Sequence, residues 1–289
     1  MSLKTFVKPL VPTAIWAAGR RYSSRRHIRA FQRRIVEHVY YQYKLRVIIA
    51  DALAEGWYDH EGPRMHEIDR LRLSKLKPGA VVYDCGAHQC VVAMILASVC
   101  GPQGRVIAVE ANAHNADIAR QNINLNQAGR APVEIIQAAL AGHLGALRFN
   151  ENLNGQISHK SNRDAGQVEV RAVTLNSLTD SHPRPDVIFL DLEGAESDAL
   201  KACDRVFANG NRPDWFVEVH AGEGLEDLGG SAEEIVAFFC DRGYAVEASV
   251  NDGEPFAPLT ATPRGRFLLI ALAQDCAEIQ SPGLTSYET

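Results

Sequence analysis

Five successive apolar runs of this chain end in acids, histidines or small residues. The residues at these run ends are Asp84, Gly86, His88, Glu110, Asn112, Ala138, Ala139, Asp191, Glu193, Glu196, Glu218 and His220. Carboxylates and imidazoles act as general acids and bases, accept hydrogen bonds from hydroxyl groups and bind cations. Any one of these residues has a structural explanation, since an acid at the end of a strand often caps the next helix. Five consecutive occurrences favour a functional site.

The first run, "VVYDCGAHQC" at residues 81–90, ends in a turn that discriminates between cofactors. A dinucleotide-binding turn needs the spacing G-x-G-x-x-G, whose glycines let a pyrophosphate approach a helix N-terminus. Here Asp84 precedes Gly86 by two residues, and no second glycine follows at that spacing. A carboxylate repels a pyrophosphate but suits the ammonium and sulfonium groups of S-adenosylmethionine (SAM). Glu110 is placed to accept the ribose hydroxyls of either cofactor. The turn favours SAM, and an NAD(P)-binding Rossmann oxidoreductase is the alternative.

The elements that position these residues alternate between strands and helices. Seven strands are predicted at "AVVYDCG", "RVIAVEAN", "VEIIQAAL", "PDVIFLDLEG", "DWFVEVHAG", "YAVEASV" and "RFLLIALA", the last two antiparallel. Strand–helix alternation predicts an α/β fold with a doubly wound, mostly parallel, seven-stranded Rossmann-like sheet. Ligands of such sheets bind beyond the carboxyl ends of the strands, where the polar residues gather.

The charge of the chain is divided unevenly. Residues 1–50 contain eleven Lys or Arg and one acid, so they carry +10, and because the whole chain carries −5 the remainder carries −15. We predict a basic helical extension at residues 1–44, a catalytic domain at 45–274 and a disordered tail at 275–289. Residues 1–36 are expected to contribute no strand to the predicted sheet. The basic helix is either a solvated face, a transit peptide, or a peripheral contact with anionic lipid or a partner protein.

Composition narrows the classes of function. An acidic main domain would repel phosphate and no nucleic-acid motif accompanies the arginines, so nucleic-acid binding is not expected. The six cysteines show no C-x-x-C pair and no metal-ligand spacing, which favours reduced, buried thiols in a cytoplasmic protein. No apolar run approaches the ~18–20 residues that span a bilayer. We therefore expect a cytoplasmic location, with any membrane contact peripheral.

Six segments in order, "VVYDCGAHQC", "VIAVEANAHNADIARQNINLN", "AALAGHLG", "VTLNSL", "IFLDLEGAESDALK" and "FVEVH", resemble the FkbM family of SAM-dependent methyltransferases. The resemblance runs from about Arg46 to Ala273, and its most specific motif is D-x-E-G-x-E at Asp191–Glu196. It implies a class I methyltransferase fold and transfer of a methyl group to a hydroxyl, typically of a sugar, a glycan or a secondary metabolite.

The resemblance also implies a cofactor site. Its residues are Asp84, Gly86, Ala87 and His88 in the first turn, Glu110, Ala111 and Asn112 at the ribose, Ala139 beside the adenine, and Asp191 near the methionine end or the reacting centre. The family usually reads D-x-G-A-N-x-G, whereas this chain has His88 for the asparagine and Cys90 for the last glycine. Cysteine is small, so cofactor binding is expected to survive, and His88 can still form hydrogen bonds.

Methyl transfer to an alcohol needs a base within hydrogen-bond reach of the hydroxyl. Asp191 and His220 are the leading candidates for this base, with Glu193 and Glu218 as orienting partners. Mg²⁺ held by Asp191 and neighbouring acids is an alternative way to activate the acceptor, although no metal-ligand set is assigned. The polar segment with Asn154, Ser158 and His159 is expected to face a small-molecule or glycan acceptor. A catalytically silent SAM-binding protein, for which Cys90 is the only hint, is a further alternative.

Overall fold

The computed structural model describes residues 28, 30–150, 156–157 and 167–274. Its strands are β1 (Arg34–Tyr40), β2 (Tyr43–Ile49), β3 (Val81–Cys85), β4 (Arg105–Glu110), β5 (Val133–Gln137), β6 (Ala139–Leu140), β7 (Gly145–Asn150), β8 (Gln156–Ile157), β9 (Gln167–Val173), β10 (Val187–Leu190), β11 (Asp214–Val219), β12 (Tyr244–Ser249), β13 (Ala257–Pro258) and β14 (Phe267–Ala273). Its α-helices are α1 (Ala52–Tyr58), α2 (His66–Arg72), α3 (Val91–Cys100), α4 (Ala113–Leu125), α5 (Leu175–Ser181), α6 (Glu196–Leu200) and α7 (Ala232–Cys240), with 3₁₀ turns at Asp204–Gly210 and Glu226–Leu228. None of these helices is long and apolar enough to cross a bilayer.

A central sheet has the strand order β13-β12-β14-β11-β10-β3-β4-β5. The strands from β11 to β5 run parallel, and β14 lies antiparallel between β11 and β12. The prediction of a doubly wound, mostly parallel sheet with an antiparallel final pair is therefore confirmed. The two-residue strand β13 adds an eighth member, paired with Glu247 and Ala248 at the edge.

The middle strands are apolar on both faces because helices cover both sides of the sheet. In β3, Val82 belongs to the core that contains Met94 of α3, while Tyr83 belongs to the opposite core with Leu175 of α5 and Phe239 of α7. The chain passes from β3 to β4 and β5 on one side, then returns to β10 on the other. The carboxyl ends of β3 and β10 therefore flank the switch point, where such sheets bind ligands.

A second sheet follows β5, with the order β6-β9-β7-β8. The sequence predicted one strand over residues 133–140 and no strands between 141 and 184. The structure instead ends β5 at Gln137, begins β6 at Ala139, and forms β7 and β9 as an antiparallel pair. The proposed acceptor-facing residues Asn154, Ser158 and His159 lie outside the described residues.

The helix predicted at the end of the basic segment is wrong for residues 34–44. β1 and β2 form an antiparallel hairpin in which Arg34 pairs with Ile49 and Tyr40 with Tyr43. The reason is the share of β-branched and aromatic side chains in Arg34–Tyr40, which favours a strand over a helix. The expected boundary at residue 45 falls inside this hairpin, which forms a two-stranded sheet separate from the central sheet. The rest of the basic segment, and the tail from residue 275, lie outside the described residues.

Side chains of α4 hold the outer edge of the hairpin. The Arg46 N–H donates to Asn126 Oδ1 at 3.0 Å, and the Ile48 N–H donates to Asn122 Oδ1 at 2.8 Å. In return, Asn126 Nδ2 donates to the Arg46 carbonyl at 2.7 Å. The inward residues Leu45 and Val47 are fully buried. The side-chain amides of Asn122 and Asn126 thus form hydrogen bonds that a neighbouring strand would otherwise form. They attach the hairpin to the catalytic domain.

Candidate active site

A cleft of about 580 Å³, partly open to solvent, lies at the carboxyl ends of β3, β4 and β10. It is lined by Trp57, Gly86, His88, Val109, Glu110, Ala111, Ala138, Ala139, Leu140, Phe149, Asp191, Leu192 and Glu193. The structure therefore brings seven of the predicted site residues together, namely Gly86, His88, Glu110, Ala111, Ala139, Asp191 and Glu193. The other five, Asp84, Ala87, Asn112, Glu218 and His220, are not part of this lining.

The turn after β3 packs tightly against the end of β10. Gly86 has a φ of +94°, and a Cβ at this position would lie 1.7 Å from the Asp191 carbonyl oxygen. The N–H groups of Gly86 and Ala87 both donate to the Val109 carbonyl, at 2.9 and 3.0 Å. Ala87 is buried in the core beneath the turn. Only glycine fits at residue 86, because the Asp191 carbonyl occupies the space that a Cβ would need.

Asp84 supplies a carboxylate just before this turn. Its side chain is buried, and among the described residues Oδ2 has no hydrogen-bond partner. Burial raises the pKa of Asp84 to about 7. A buried carboxylate oxygen without a partner is costly, and a cationic group at the turn would offset that cost.

Glu110 connects the turn after β3 to the segment after β4 by hydrogen bonds. Its Oε2 accepts a hydrogen bond from the His88 N–H at 2.8 Å, and its Oε1 accepts one from the Asn112 N–H at 2.6 Å. Each carboxylate oxygen has a second lone pair, so both can still accept a hydroxyl from the cleft. Burial raises the pKa of Glu110 to about 7, against the opposing effect of the backbone donors. Asn112 caps α4 through Oδ1, which accepts from the His114 N–H at 2.9 Å.

His220 lies behind the cleft among four carboxylates. Its Nδ1 is 2.9 Å from Glu196 Oε1, and its Nε2 is 3.5 Å from Glu218 Oε1 and 3.8 Å from both Asp191 Oδ1 and Glu193 Oε2. Burial alone lowers the pKa of His220, but the hydrogen bond to Glu196 and the surrounding negative charges outweigh it and raise the pKa to about 9. At neutral pH the ring is an imidazolium, which balances the acids and is unsuited to accept a proton.

The remaining acids around His220 differ in the ion pairs and hydrogen bonds that they form. Glu218 forms an ion pair with Arg266, which also contacts Asp252 at 3.1 Å. Glu196 is fully buried, and its Oε1 also accepts from the N–H groups of Leu192 and Gly194, at 3.1 and 3.0 Å. These contacts fix the loop that presents Asp191 to the cleft. Burial, followed by the Glu218 carboxylate, raises the pKa of Asp191, while His220 lowers it.

Ligand atoms of Asp191, Glu193 and His220 lie within 4.8 Å of one another, close enough to hold a metal ion. The chemistry of this set does not favour the expected Mg²⁺, which prefers oxygen ligands and retains several waters. Binding any metal would also require His220 to lose the proton that its neighbours stabilise. We therefore assign no role in the reaction to a metal ion at this site.

The sequence of this chain matches a family of known proteins. Residues 84–246, more than half of the chain, match the family described as the methyltransferase FkbM domain.

The chain belongs to the FkbM methyltransferase family.

Among curated proteins, it is similar to the hexuronic acid methyltransferase AglP of Haloferax volcanii, with 26% identity over 186 residues, 61% of this chain and 71% of that protein. Among solved structures, it is similar to an O-methyltransferase from Bacillus cereus in complex with SAH, with 18% identity, a TM-score of 0.41, and coverage of 72% and 80% of the two chains. It is also similar to SAM-bound fibrillarin from Aeropyrum pernix, with 11% identity, a TM-score of 0.42 and 69% coverage of each chain.

Membership of the FkbM family shows that the chain is a SAM-dependent methyltransferase with the class I fold, and sets the oxidoreductase alternative aside. The cleft fits this cofactor on two structural grounds. The unpartnered oxygen of Asp84 suits a cationic ligand, and Gly86 lines the cleft without a side chain, so a ligand can approach the backbone of the turn. Glu110 would hold the ribose hydroxyls, and the small residues Ala138 and Ala139 leave room for a flat base beside them.

The two departures from the FkbM turn fall at backbone positions with positive φ. His88 has a φ of +48° and Cys90 a φ of +63°. Asparagine and glycine, which the family usually has there, adopt this left-handed conformation at lower cost than other residues. The Cys90 side chain is fully buried, and burial raises the pKa of its thiol well above its usual value. Cys90 is therefore a neutral core residue at the start of α3, under local backbone strain.

We expect Cys90→Gly to leave SAM affinity unchanged or tighter, and the free energy of unfolding within about 1 kcal/mol of wild type. Relief of left-handed strain, about 1–2 kcal/mol, offsets the lost packing of one buried sulfur. Isothermal titration and urea unfolding measure the two quantities. Cys100→Gly is the matched control: Cys100 is also buried but lies at the end of α3, so that variant should be less stable. Loss of SAM binding by a folded Cys90→Gly would contradict this account.

Sequence reasoning missed several residues of the cleft, above all Trp57 and Phe149. Trp57 lies on α1, ahead of the matched family residues, and Phe149 lies on β7 of the second sheet. Neither stands at the end of a strand of the central sheet, so the pattern of strand ends carried no signal for them.

Proposed function

We propose that this protein transfers the methyl group of SAM to a hydroxyl group of a sugar. The observation that carries the proposal is the single cleft that joins the Gly86 turn and Glu110 to the acidic residues Asp191 and Glu193. A cofactor held by the Gly86 turn and Glu110 would present its methyl group to an acceptor held by Asp191 and Glu193. The similarity to a hexuronic acid methyltransferase supports a sugar as the acceptor, and makes hexuronic acids the first to test.

The protein's part in this reaction is to align the two reactants and receive a proton. SAM supplies an electrophilic methyl group on a sulfonium. Asp191, in the cleft, accepts the proton of the attacking hydroxyl, and Glu193 beside it accepts a hydrogen bond from a neighbouring hydroxyl of the sugar and so orients the acceptor. His220, held by Glu196 as an imidazolium, lowers the pKa of Asp191 and so opposes the effect of burial, without lining the cleft itself. Exclusion of water by Val109, Leu140 and Leu192 protects the transfer step.

SAM should bind with a micromolar dissociation constant, about −8 kcal/mol, and Glu110→Ala should weaken binding by about tenfold or more, because both ribose contacts are lost. The affinity of the wild-type protein should also fall as the pH drops below the Glu110 pKa of about 7, since a protonated carboxyl is a poorer acceptor. Titration calorimetry across the pH range checks both statements. Glu134→Ala, an exposed acid on β5, is the control. Unchanged affinity in Glu110→Ala would remove Glu110 from the site.

The function is tested by incubating the full-length protein with methyl-labelled SAM and a panel of hexuronic acids, neutral hexoses and sugar-free alcohols. The expected result is a labelled sugar whose methyl group resists alkaline hydrolysis, because an ether forms at a hydroxyl. A label released by alkali would mean a methyl ester on a carboxyl group, and would overturn the hydroxyl assignment. Binding of SAM with no transfer to any acceptor in the panel would favour the catalytically silent alternative.

A further inference from the structure

Trp57 differs from the other apolar residues of the cleft. Its side chain is 43% exposed, whereas the second aromatic residue of the lining, Phe149, is 5% exposed. A large aromatic side chain open to solvent in a binding cleft offers a flat apolar surface for a ligand to cover. Helix α1, which carries Trp57, lies outside the part of the chain that matches the family.

The anchoring of α1 shows that this exposed ring is held in place. Asp51 caps the helix, with Oδ1 accepting from the N–H groups of Leu53 and Ala54 at 3.0 and 2.8 Å. The other oxygen of Asp51 accepts from Gln89 Nε2 at 2.8 Å and lies 2.9 Å from His114 Nε2. Asp51 and Gln89 are buried, so α1 is fixed directly to the segment that follows the Gly86 turn.

A second connection lies at the other end of α1. The Tyr58 hydroxyl is 2.8 Å from His88 Nδ1, and the Trp57 ring centroid is 5.0 Å from that of His88. The indole is therefore positioned relative to the cofactor turn by both ends of its helix. Such preorganisation lowers the entropic cost of binding a ligand against the ring.

We propose that Trp57 is the platform on which the ring of the acceptor sugar stacks. A sugar presents an apolar face of C–H groups and an edge of hydroxyls, and this cleft offers an open indole together with the carboxylates of Asp191 and Glu193. The residues assigned to the cofactor, Glu110 and Asp84, are buried, whereas Trp57 is exposed to solvent, where an incoming acceptor would contact it. The inference rests on the proposed function, and makes Trp57 a specificity residue for the acceptor.

The test compares Trp57→Ala and Trp57→Phe with wild type, using the hexuronic acid or hexose that gives the most product in the labelled-SAM assay. We expect Trp57→Ala to raise the KM for that sugar by about tenfold or more and Trp57→Phe to recover most of the loss. The dissociation constant for S-adenosylhomocysteine, measured by calorimetry, should stay within about twofold of wild type, the size of ordinary variation among surface variants. Leu73→Ala, at an exposed apolar residue after α2, should change neither quantity.

The failures of the two proposals are distinguishable. An unchanged KM in Trp57→Ala, with the sugar still methylated, overturns the Trp57 platform alone. An equal loss of S-adenosylhomocysteine affinity also overturns it, because Trp57 would then form part of the cofactor wall. Absence of methylation of every sugar by the wild-type protein, with SAM still bound, overturns the proposed function and the platform together.

Discussion

Gly86→Ala is expected to abolish measurable SAM binding and to lower the free energy of unfolding. The new Cβ would lie 1.7 Å from the Asp191 carbonyl oxygen, far inside van der Waals contact, so the ends of β3 and β10 must separate. Overpacking of this kind costs about 1–3 kcal/mol, in addition to about 1–2 kcal/mol for an L-residue in the left-handed region. Calorimetric titration with SAM and thermal unfolding followed by circular dichroism measure the two effects.

Gly79→Ala separates the effect of the clash with Asp191 from the cost of an L-residue in the left-handed region. Gly79 has a φ of +89°, close to the +94° of Gly86, but a Cβ there would meet nothing within 4 Å. Its variant should show the backbone penalty and keep SAM affinity. If Gly86→Ala bound SAM as tightly as Gly79→Ala, the close approach of the turn to Asp191 would have no bearing on the cofactor.

Asp191→Asn is expected to lower kcat by about 10²–10⁴, the range over which a general base contributes, and to leave the SAM dissociation constant nearly unchanged. The amide preserves the volume of the side chain and the backbone contact with Gly86, but it cannot accept the hydroxyl proton. The pKa of Asp191 is raised, so the wild-type rate should fall as the pH decreases through that pKa, above the usual carboxyl range. The variant should lack this limb of the pH profile.

Asp117→Asn is the matched control, because it makes the same substitution at an exposed residue of α4. Its kcat and pH profile should equal those of wild type. A wild-type kcat in Asp191→Asn would instead transfer the role of base to Glu193, which lines the cleft close to Asp191, and Glu193→Gln should then show the loss.

The seven longer strands of the central sheet were predictable because each is a largely apolar run between turn signals. The first strand of the hairpin was misread because its arginines were taken together with those of the preceding segment, and the β-branched and aromatic residues of Arg34–Tyr40 were overlooked. The second sheet was missed for a different reason. β6 and β8 have only two residues each, and β6 pairs with β9, which begins 28 residues after Ala139, so no local sequence pattern indicates the contact.

The site was predictable as far as residues at strand ends could show it. Asp84, Gly86 and Glu110 follow from the first two strand ends and the chemistry of the cofactor. The protonation of His220 could not be inferred from the strand ends. It depends on Glu196, which approaches from α6, and on three other carboxylates around the ring. Trp57 depends on the path of the chain before the family motifs, which the strand-end argument did not cover.

The pairing of the hairpin with α4 has a consequence for synthesis of the chain. Arg46 and its partner Asn126 are 80 residues apart, so ribosomes adding about 5–20 residues per second expose the hairpin for about 4–16 s before that partner emerges. During this interval the outer edge of β2 presents unpaired N–H and carbonyl groups, which invite pairing between nascent chains. Arg34, Lys44 and Arg46, against the single acid Glu37, leave this hairpin with a net charge of +2. Their mutual repulsion would keep two unfinished chains apart until Asn122 and Asn126 arrive.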